Sequence, residues 1–314
     1  MIDNFKLKLQ ITEEILMTNK LKNKIVHQSI LTITKLIISV LLLNCLPVVP
    51  LSAQYLNKSE LRVMTFNIRY AAADDGENSW EFRKNLVAQT IKNFEPDVFG
   101  LQEALQIQID VIQKLLPNYD YVGVGRDDGK SAGEHSCIFY MKDRFNADMT
   151  ETFWFSETPH VPGSKSWGNN ITRICTWVKL SDKVTGNKFY MFNVHLDHES
   201  QPSRERSAEL LVKKIKEKTL PVILTGDFNC GDDNPAIQTI SSSGLIDSYR
   251  ILHTRQEGEG TYHAFTGNKS GDKIDFIFVS KDFDVKLSEI LRTEYNGKYP
   301  SDHFPVTAII KFSK

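Results

Sequence analysis

The sequence predicts a mixed α/β (α+β) fold. Short apolar runs of period two alternate with segments of helical periodicity, and 41% of the 314 residues are apolar against 25% charged, an ordinary globular balance. No internal repeat, low-complexity tract or Pro/Gly/Ser-rich joint interrupts the chain after residue 60. One domain over residues 54–314 is the expected organisation.

The elements follow in order. Strands are expected at 61–68, 97–101, 119–124, 136–141, 171–180, 188–194, 222–225, 274–279 and 304–310, where β-branched and aromatic residues cluster. Between them, Ser79 can cap a helix through Leu86, Ala88 and Ile91, and a second helix presents Ile109, Ile112, Leu115 and Leu116. Pro202 can open a third, whose Ala208, Leu211, Val212 and Ile215 share one face. Asn234-Pro235 reads as the cap and first turn of another. The glycine-rich run 123–129 has no helix pattern after it and is not a nucleotide fingerprint. The aromatic, Pro/Gly-broken stretch 154–168 reads as a loop shaping substrate access.

Residues 1–53 differ in character. Lys20, Lys22 and Lys24 precede an apolar run, 36–46, closed by Pro47, Pro50 and Leu51-Ser52-Ala53-Gln54. This is the outline of a secretory signal cut after Ala53, with Met17 as an alternative start; the run is too short to span a bilayer. An exported protein, periplasmic or secreted, is expected, without stable membrane insertion after cleavage. Lipid attachment at Cys45 is the weaker alternative, because Asn44 stands where a lipoprotein box wants a small residue.

Removing residues 1–53 takes away six Lys and three acidic residues, leaving 32 basic against 36 acidic. Nucleic-acid binders usually carry a basic stripe, and none stands out. Cys137, Cys175 and Cys230 remain, too few and too irregular for a disulfide framework, although Cys137 and Cys175 could bridge if their strands are neighbours. No Cys/His spacing for zinc is present.

Five short polar motifs occur at strand ends: Thr65-Phe66-Asn67, Leu101-Gln102-Glu103, Asn193-Val194-His195-Leu196-Asp197, Gly226-Asp227-Phe228-Asn229 and Ser301-Asp302-His303. On an extended chain residues two apart point the same way, so Asp227 and Asn229 can address one atom. An Asp-Phe-Asn turn satisfying backbone amides is the plain alternative. Together the motifs offer oxygen ligands for a hard cation, a pair able to orient water and two histidines, the parts that attack on a phosphate ester requires.

In this order, from Leu61 to Phe312, the motifs resemble the endonuclease/exonuclease/phosphatase superfamily of deoxyribonuclease I-like proteins. Thr65-Phe66-Asn67-Ile68-Arg69-Tyr70 and Tyr299-Pro300-Ser301-Asp302-His303-Phe304-Pro305 are similar to a bacterial subgroup of unsettled substrate. The resemblance implies a four-layer sandwich of two packed mixed β-sheets flanked by helices, and a divalent-metal-dependent hydrolase of phosphate esters.

By the same resemblance Glu103, Asn67 and Asp302 form the metal side, with Mg²⁺ or Mn²⁺ suited to an all-oxygen set. Asp227 orients or deprotonates the attacking water and Asn229 helps hold it with the phosphate. His303, paired with Asp275, and His195, paired with the acidic Glu134, meet the phosphate or protonate the leaving oxygen. Arg69, where abasic-site endonucleases tend to carry an acid, becomes an added phosphate contact; Arg173 reaches substrate or makes an ordinary ion pair. The expected substrate is a small-molecule or lipid-derived phosphate ester acted on by a monomer. A secreted nuclease degrading DNA or RNA is the alternative, and a binding protein that keeps the scaffold without catalysis is a third reading.

Overall fold

Alternation along the strands sets the architecture. In the computed structural model, which describes Met17 and residues 59–313, β1 (Glu60–Asn67) sends Leu61 and Val63 to one side and Met64 and Phe66 to the other. Both sides are apolar, so β1 must be covered twice. The expected signal segment and Cys45 lie outside the described residues.

The strands form two six-stranded mixed sheets. Sheet one contains β1, β2 (Val98–Gln102), β3 (Tyr119–Val122), β4 (Ile138–Met141), β11 (Phe283–Ile290) and β12 (Val306–Phe312), ordered β11-β12-β1-β2-β4-β3. Sheet two contains β5 (Phe145–Trp154), β6 (Ile174–Asp182), β7 (Lys188–His195), β8 (Val222–Asp227), β9 (Ile246–Asp247) and β10 (Asp275–Val279), ordered β5-β6-β7-β8-β10-β9. The sheets pack through a shared core that includes Val63, Val98, Met191, Ile223, Ile277 and Ala308.

Helices cover the outer faces. Helices α1 (Trp80–Phe94) and α2 (Gln106–Leu115) bury Val87, Ile91, Ile109 and Ile112 on sheet one. Helices α3 (Gln201–Lys216) and α4 (Pro235–Ser241) bury Leu211, Ile215, Ile237 and Ile240 on sheet two. Helix, sheet, sheet, helix is the four-layer sandwich. The α3 cap is Ser200, whose hydroxyl accepts the Ser203 N–H with Pro202 in the first turn, and Asn234 caps α4 by accepting the Ala236 N–H. Ser79 stands at the N-cap position of α1 but does not cap with its side chain, because its hydroxyl donates to the Gly76 carbonyl at 2.7 Å.

Three strands escape the periodicity reading: β5, β11 and the two-residue β9. All are sheet edges, and β5 and β11 each contain a register shift, at Ala147/Met149 and Val285/Leu287, that breaks a clean alternation. The proposed Cys137–Cys175 bridge is absent: both thiols are free. Cys137 faces the sheet-one helices and Cys175 the sheet-two helices, so the side chains point into opposite outer layers. Among the described residues no helix is long and apolar enough to cross a membrane.

Candidate active site

The inward-facing row of each central strand changes character at one end. Leu61 and Val63 of β1 give way to Thr65 and Asn67, Val98 of β2 to Gly100 and Gln102, and Met191 of β7 to Asn193 and His195. Ile223 of β8 leads to Thr225 and Asp227, and Ile277 of β10 to Asp275. The period that builds the hydrophobic core therefore carries polar groups to one mouth between the sheets.

A polar layer separates the two. Gln102 Nε2 donates to Thr65 Oγ1 at 3.0 Å and to Asn193 Oδ1 at 2.7 Å, and Thr225 Oγ1 donates to the same Asn193 oxygen at 3.0 Å. Asn193 Nδ2 donates to the carbonyls of Leu101 and Cys137 at 2.8 and 3.0 Å. Gly100 permits this approach, since a Cβ there would stand 2.3 Å from Asn193 Oδ1.

Above the layer, sheet register aligns the reacting groups. His195 is opposite Asp227, and Asp227 is opposite Asp275, across three adjacent strands. Sheet one contributes Asn67, and the segment just before β12 contributes Asp302 and His303. Arg69, Glu103 and Asn229 leave β1, β2 and β8 in the left-handed region, with φ of 55°, 61° and 52°, turning the chain sharply at the mouth.

Asp227 lies at the centre and is buried. Its Oδ2 accepts from Asn67 Nδ2 at 2.9 Å and its Oδ1 from the Asn229 N–H at 2.9 Å. The imidazole Nε2 atoms of His195 and His303 stand 3.5 and 3.8 Å from Oδ2. Burial, then the charge of Asp275, pushes the Asp227 carboxyl up to about 7, while His303 and the two hydrogen bonds pull the other way.

The two histidines diverge. His303 Nδ1 contacts Asp275 Oδ2 at 2.9 Å, and the charges of Asp275 and Asp227 hold the ring well above its usual range although burial opposes them. His195 is pushed well below the usual range by burial and then by the guanidiniums of Arg173 and Arg126. One ring beside Asp227 is cationic at neutral pH, the other neutral.

Other expected partners are arranged differently from the sequence reading. Glu134 is gripped by Arg126 in a two-pronged pair at 2.7 and 2.8 Å, and its Oε2 stands 3.9 Å from His195 Nδ1, beyond a direct hydrogen bond. Arg126 belongs to the glycine-rich run set aside above. Arg173 is buried against Asp197 at 3.3 Å and His198 Nδ1 at 2.8 Å, the ordinary ion-pair alternative. Arg69 forks onto Asp75 at 3.0 and 2.9 Å, and its Nε stands 3.8 Å from Asp302 Oδ2. Asn229 shows the turn geometry as well as the site position: its Nδ2 donates to the Leu196 carbonyl at 2.9 Å. Trp154, the last residue of β5, and Phe155 after it are buried and anchor the start of the aromatic stretch.

Glu103 accepts Asn67 Nδ2 on Oε1 at 2.9 Å and the Tyr70 N–H on Oε2 at 3.0 Å. Burial raises Asp302 first; the His303 charge opposes this, and repulsion from the Glu103 charge adds to the rise. A hard cation relieves that repulsion, and the pair fits one. Asn67 does not present its oxygen to that pair: its nitrogen donates to Glu103 and Asp227, while its Oδ1 accepts the Arg69 N–H at 3.0 Å. Asp227, Asp275 and His303 also bring ligand atoms within 4.8 Å of one another.

A family model described as Endonuclease/Exonuclease/phosphatase family matches residues 64–303. A solved Bacteroides thetaiotaomicron protein of that family is 40% identical, with TM-score 0.78, covering 81% of this chain and 98% of its own. A mannosyl-6-phosphatase from Bacteroides thetaiotaomicron is 41% identical at TM-score 0.77, covering 80% and 100%. An uncharacterised protein of Acanthamoeba polyphaga mimivirus is 33% identical over 251 residues, 74% of this chain and 92% of that one. Human Nocturnin is 25% identical over 81% of this chain and 66% of its own length.

Proposed function

From the premise that the chain belongs to the endonuclease/exonuclease/phosphatase family, whose members hydrolyse phosphate esters, we propose that it is an exported, divalent-metal-dependent phosphatase of small phosphate monoesters. The observation that carries this reading is Asp227, buried between a cationic and a neutral histidine and joined through Asn67 to Glu103.

Glu103 and Asp302 would hold Mg²⁺ or Mn²⁺, which when bound polarises the phosphate oxygens. Asp227 is aimed by Asn67 and by the Asn229 N–H, and its carboxyl at about 7 is matched to taking a proton from water near neutral pH. His303, held protonated by Asp275, meets the charge that develops on phosphate and can supply a proton to the leaving oxygen. His195, which burial and then Arg173 and Arg126 push toward the neutral form, can offer an N–H but is a poor acid toward the leaving oxygen. Asn67 locks the metal side to the water side in one hydrogen-bonded unit.

A sugar phosphate is the favoured substrate. The mannosyl-6-phosphatase at 41% identity supports it, and a mature chain of 32 basic against 36 acidic residues offers little to a polyanion. Export rests on the basic and apolar segment ahead of residue 54, and N-terminal sequencing of the secreted protein tests it.

The deciding experiment is phosphate release from sugar phosphates, and plasmid nicking in parallel, with Mg²⁺, Mn²⁺ or EDTA. Metal-dependent release is expected, and Asp227→Asn and His303→Ala each lower kcat about 10²- to 10⁴-fold with the circular dichroism spectrum retained. Near-normal turnover in either variant defeats these roles, and nicking without phosphate release favours a nuclease.

A further inference from the structure

The chemistry above leaves one aromatic side chain unused. Tyr262 is 50% exposed, and its ring meets the His303 imidazole edge to face with centroids 5.1 Å apart at 61°. Its backbone is nevertheless fixed. The Phe304 N–H donates to the Thr261 carbonyl and the His263 N–H to the Asp302 carbonyl, both at 2.8 Å, pairing Tyr262 with His303 in an antiparallel bridge.

The chain that follows is strained. Ala264 and Phe265 are consecutive left-handed residues, φ 47° and 62°, a conformation that L residues rarely adopt. Thr266 N–H and Oγ1–H hold this turn by donating to the His263 carbonyl, and the Gly267 N–H donates to His263 Nδ1. The backbone on either side thus holds the ring in place beside His303, with half of its surface open to solvent.

The surroundings say which part of a ligand. Burial and then the charge of Asp302 push the Tyr262 phenol up, with Arg69 opposing and Glu103 and Asp75 adding, so the ring lies in the field of these four groups. Arg69 and Asp75 form a planar, two-pronged pair in the same neighbourhood. A pyranose ring presents a face of C–H groups, which packs on an aromatic surface, and a rim of hydroxyls, which pairs with planar polar forks.

We propose that Tyr262 forms the wall of an alcohol subsite that receives the C–H face of a pyranose, with the Arg69–Asp75 pair turned to its hydroxyls. The proposal rests on the phosphatase reading. It makes Tyr262 a determinant of specificity, set beside the reacting groups and outside the proton transfers.

The test compares a hexose 6-phosphate in its pyranose form with glycerol 3-phosphate, two esters of a primary alcohol that differ in the ring. Wild type, Tyr262→Phe and Tyr262→Ala are assayed for kcat and KM on each with saturating metal. The ratio of kcat/KM, pyranose over acyclic, is expected to fall about tenfold in Tyr262→Ala, mainly through KM, and to stay within about twofold in Tyr262→Phe, the size of one good aromatic contact. Equal loss on both esters would show that the ring only shields His303 and overturns the subsite, as would a wild type without preference. No phosphate release from either ester defeats the phosphatase reading first and the subsite with it.

Discussion

Three histidines of this chain meet three environments, and their charges follow from what stands beside them. His303 has a carboxylate on Nδ1, His195 has two guanidiniums nearby, and His263 is sandwiched on Phe304 with ring centroids 3.9 Å apart. Burial pushes His263 down from 6.5 to about 4. Between those values the unfolded chain takes up a proton that the folded chain refuses. Stability therefore falls as pH drops through that window, by about 3 kcal/mol at its foot. Replacing His263 with Phe keeps an aromatic ring against Phe304 and removes the titration. Urea midpoints of wild type and His263→Phe near pH 7 and near pH 4.5 should show a smaller acid loss in the variant, and an equal loss refutes this account. At this scale the motifs made Asp227, His195 and His303 legible in the sequence. Arg126, Asp75 and Tyr262 were not, because each is a single residue whose meaning comes from partners placed by the fold. The charge of each histidine was hidden for the same reason.

The elements carry the site because each central strand is apolar along most of its inner face and polar at one end. Gly100 is the narrowest point of that transition. In Gly100→Ala the new methyl would stand 2.3 Å from Asn193 Oδ1 and 2.6 Å from Thr225 Oγ1, forcing the buried amide network apart. A loss of about 3 kcal/mol in urea unfolding is expected, from overpacking together with unsatisfied buried groups, with reduced phosphate release from the folded fraction. An unchanged midpoint would show that the layer yields freely. Apolar patterning revealed most central strands, since both of their faces are buried and their sequences run nearly continuously apolar. It gave no hint of the polar layer, in which Gln102 and Asn193 are 91 residues apart and each looks, in sequence, like an interruption of a strand. Of the edge strands, β3 was read, while β5, β9 and β11 were missed for the opposite reason: solvent allows them a mixed pattern.

For the whole molecule, the decisive fact is that neither sheet holds a complete site. Sheet two aligns His195, Asp227 and Asp275, while the sheet-one side supplies Asn67, Glu103, Asp302 and His303. A cation bound by Glu103 and Asp302 ties together loops that follow β2 and precede β12, so it should stabilise the fold as a ligand of the native state. Mg²⁺ or Mn²⁺ at about 100 times its Kd adds about 2.7 kcal/mol. The melting temperature should rise with metal in wild type and not in Glu103→Ala; an equal rise in both moves the metal elsewhere. Periodicity supported a mixed α/β chain but not the division into two sheets, because strand order depends on tertiary pairing. The ordered motifs supplied that division through the family they resemble.

The outermost closure joins the beginning of the domain to its end. β1 pairs with β12, and Ser301 Oγ donates to the Asn67 carbonyl across 234 residues. A ribosome delivers β1 early and β12 late, so the first strand waits for its antiparallel neighbour through most of translation, and Asp302 and His303 arrive with that neighbour. A chain stopped before residue 301 therefore lacks both the partner strand of β1 and the pair Asp302 and His303.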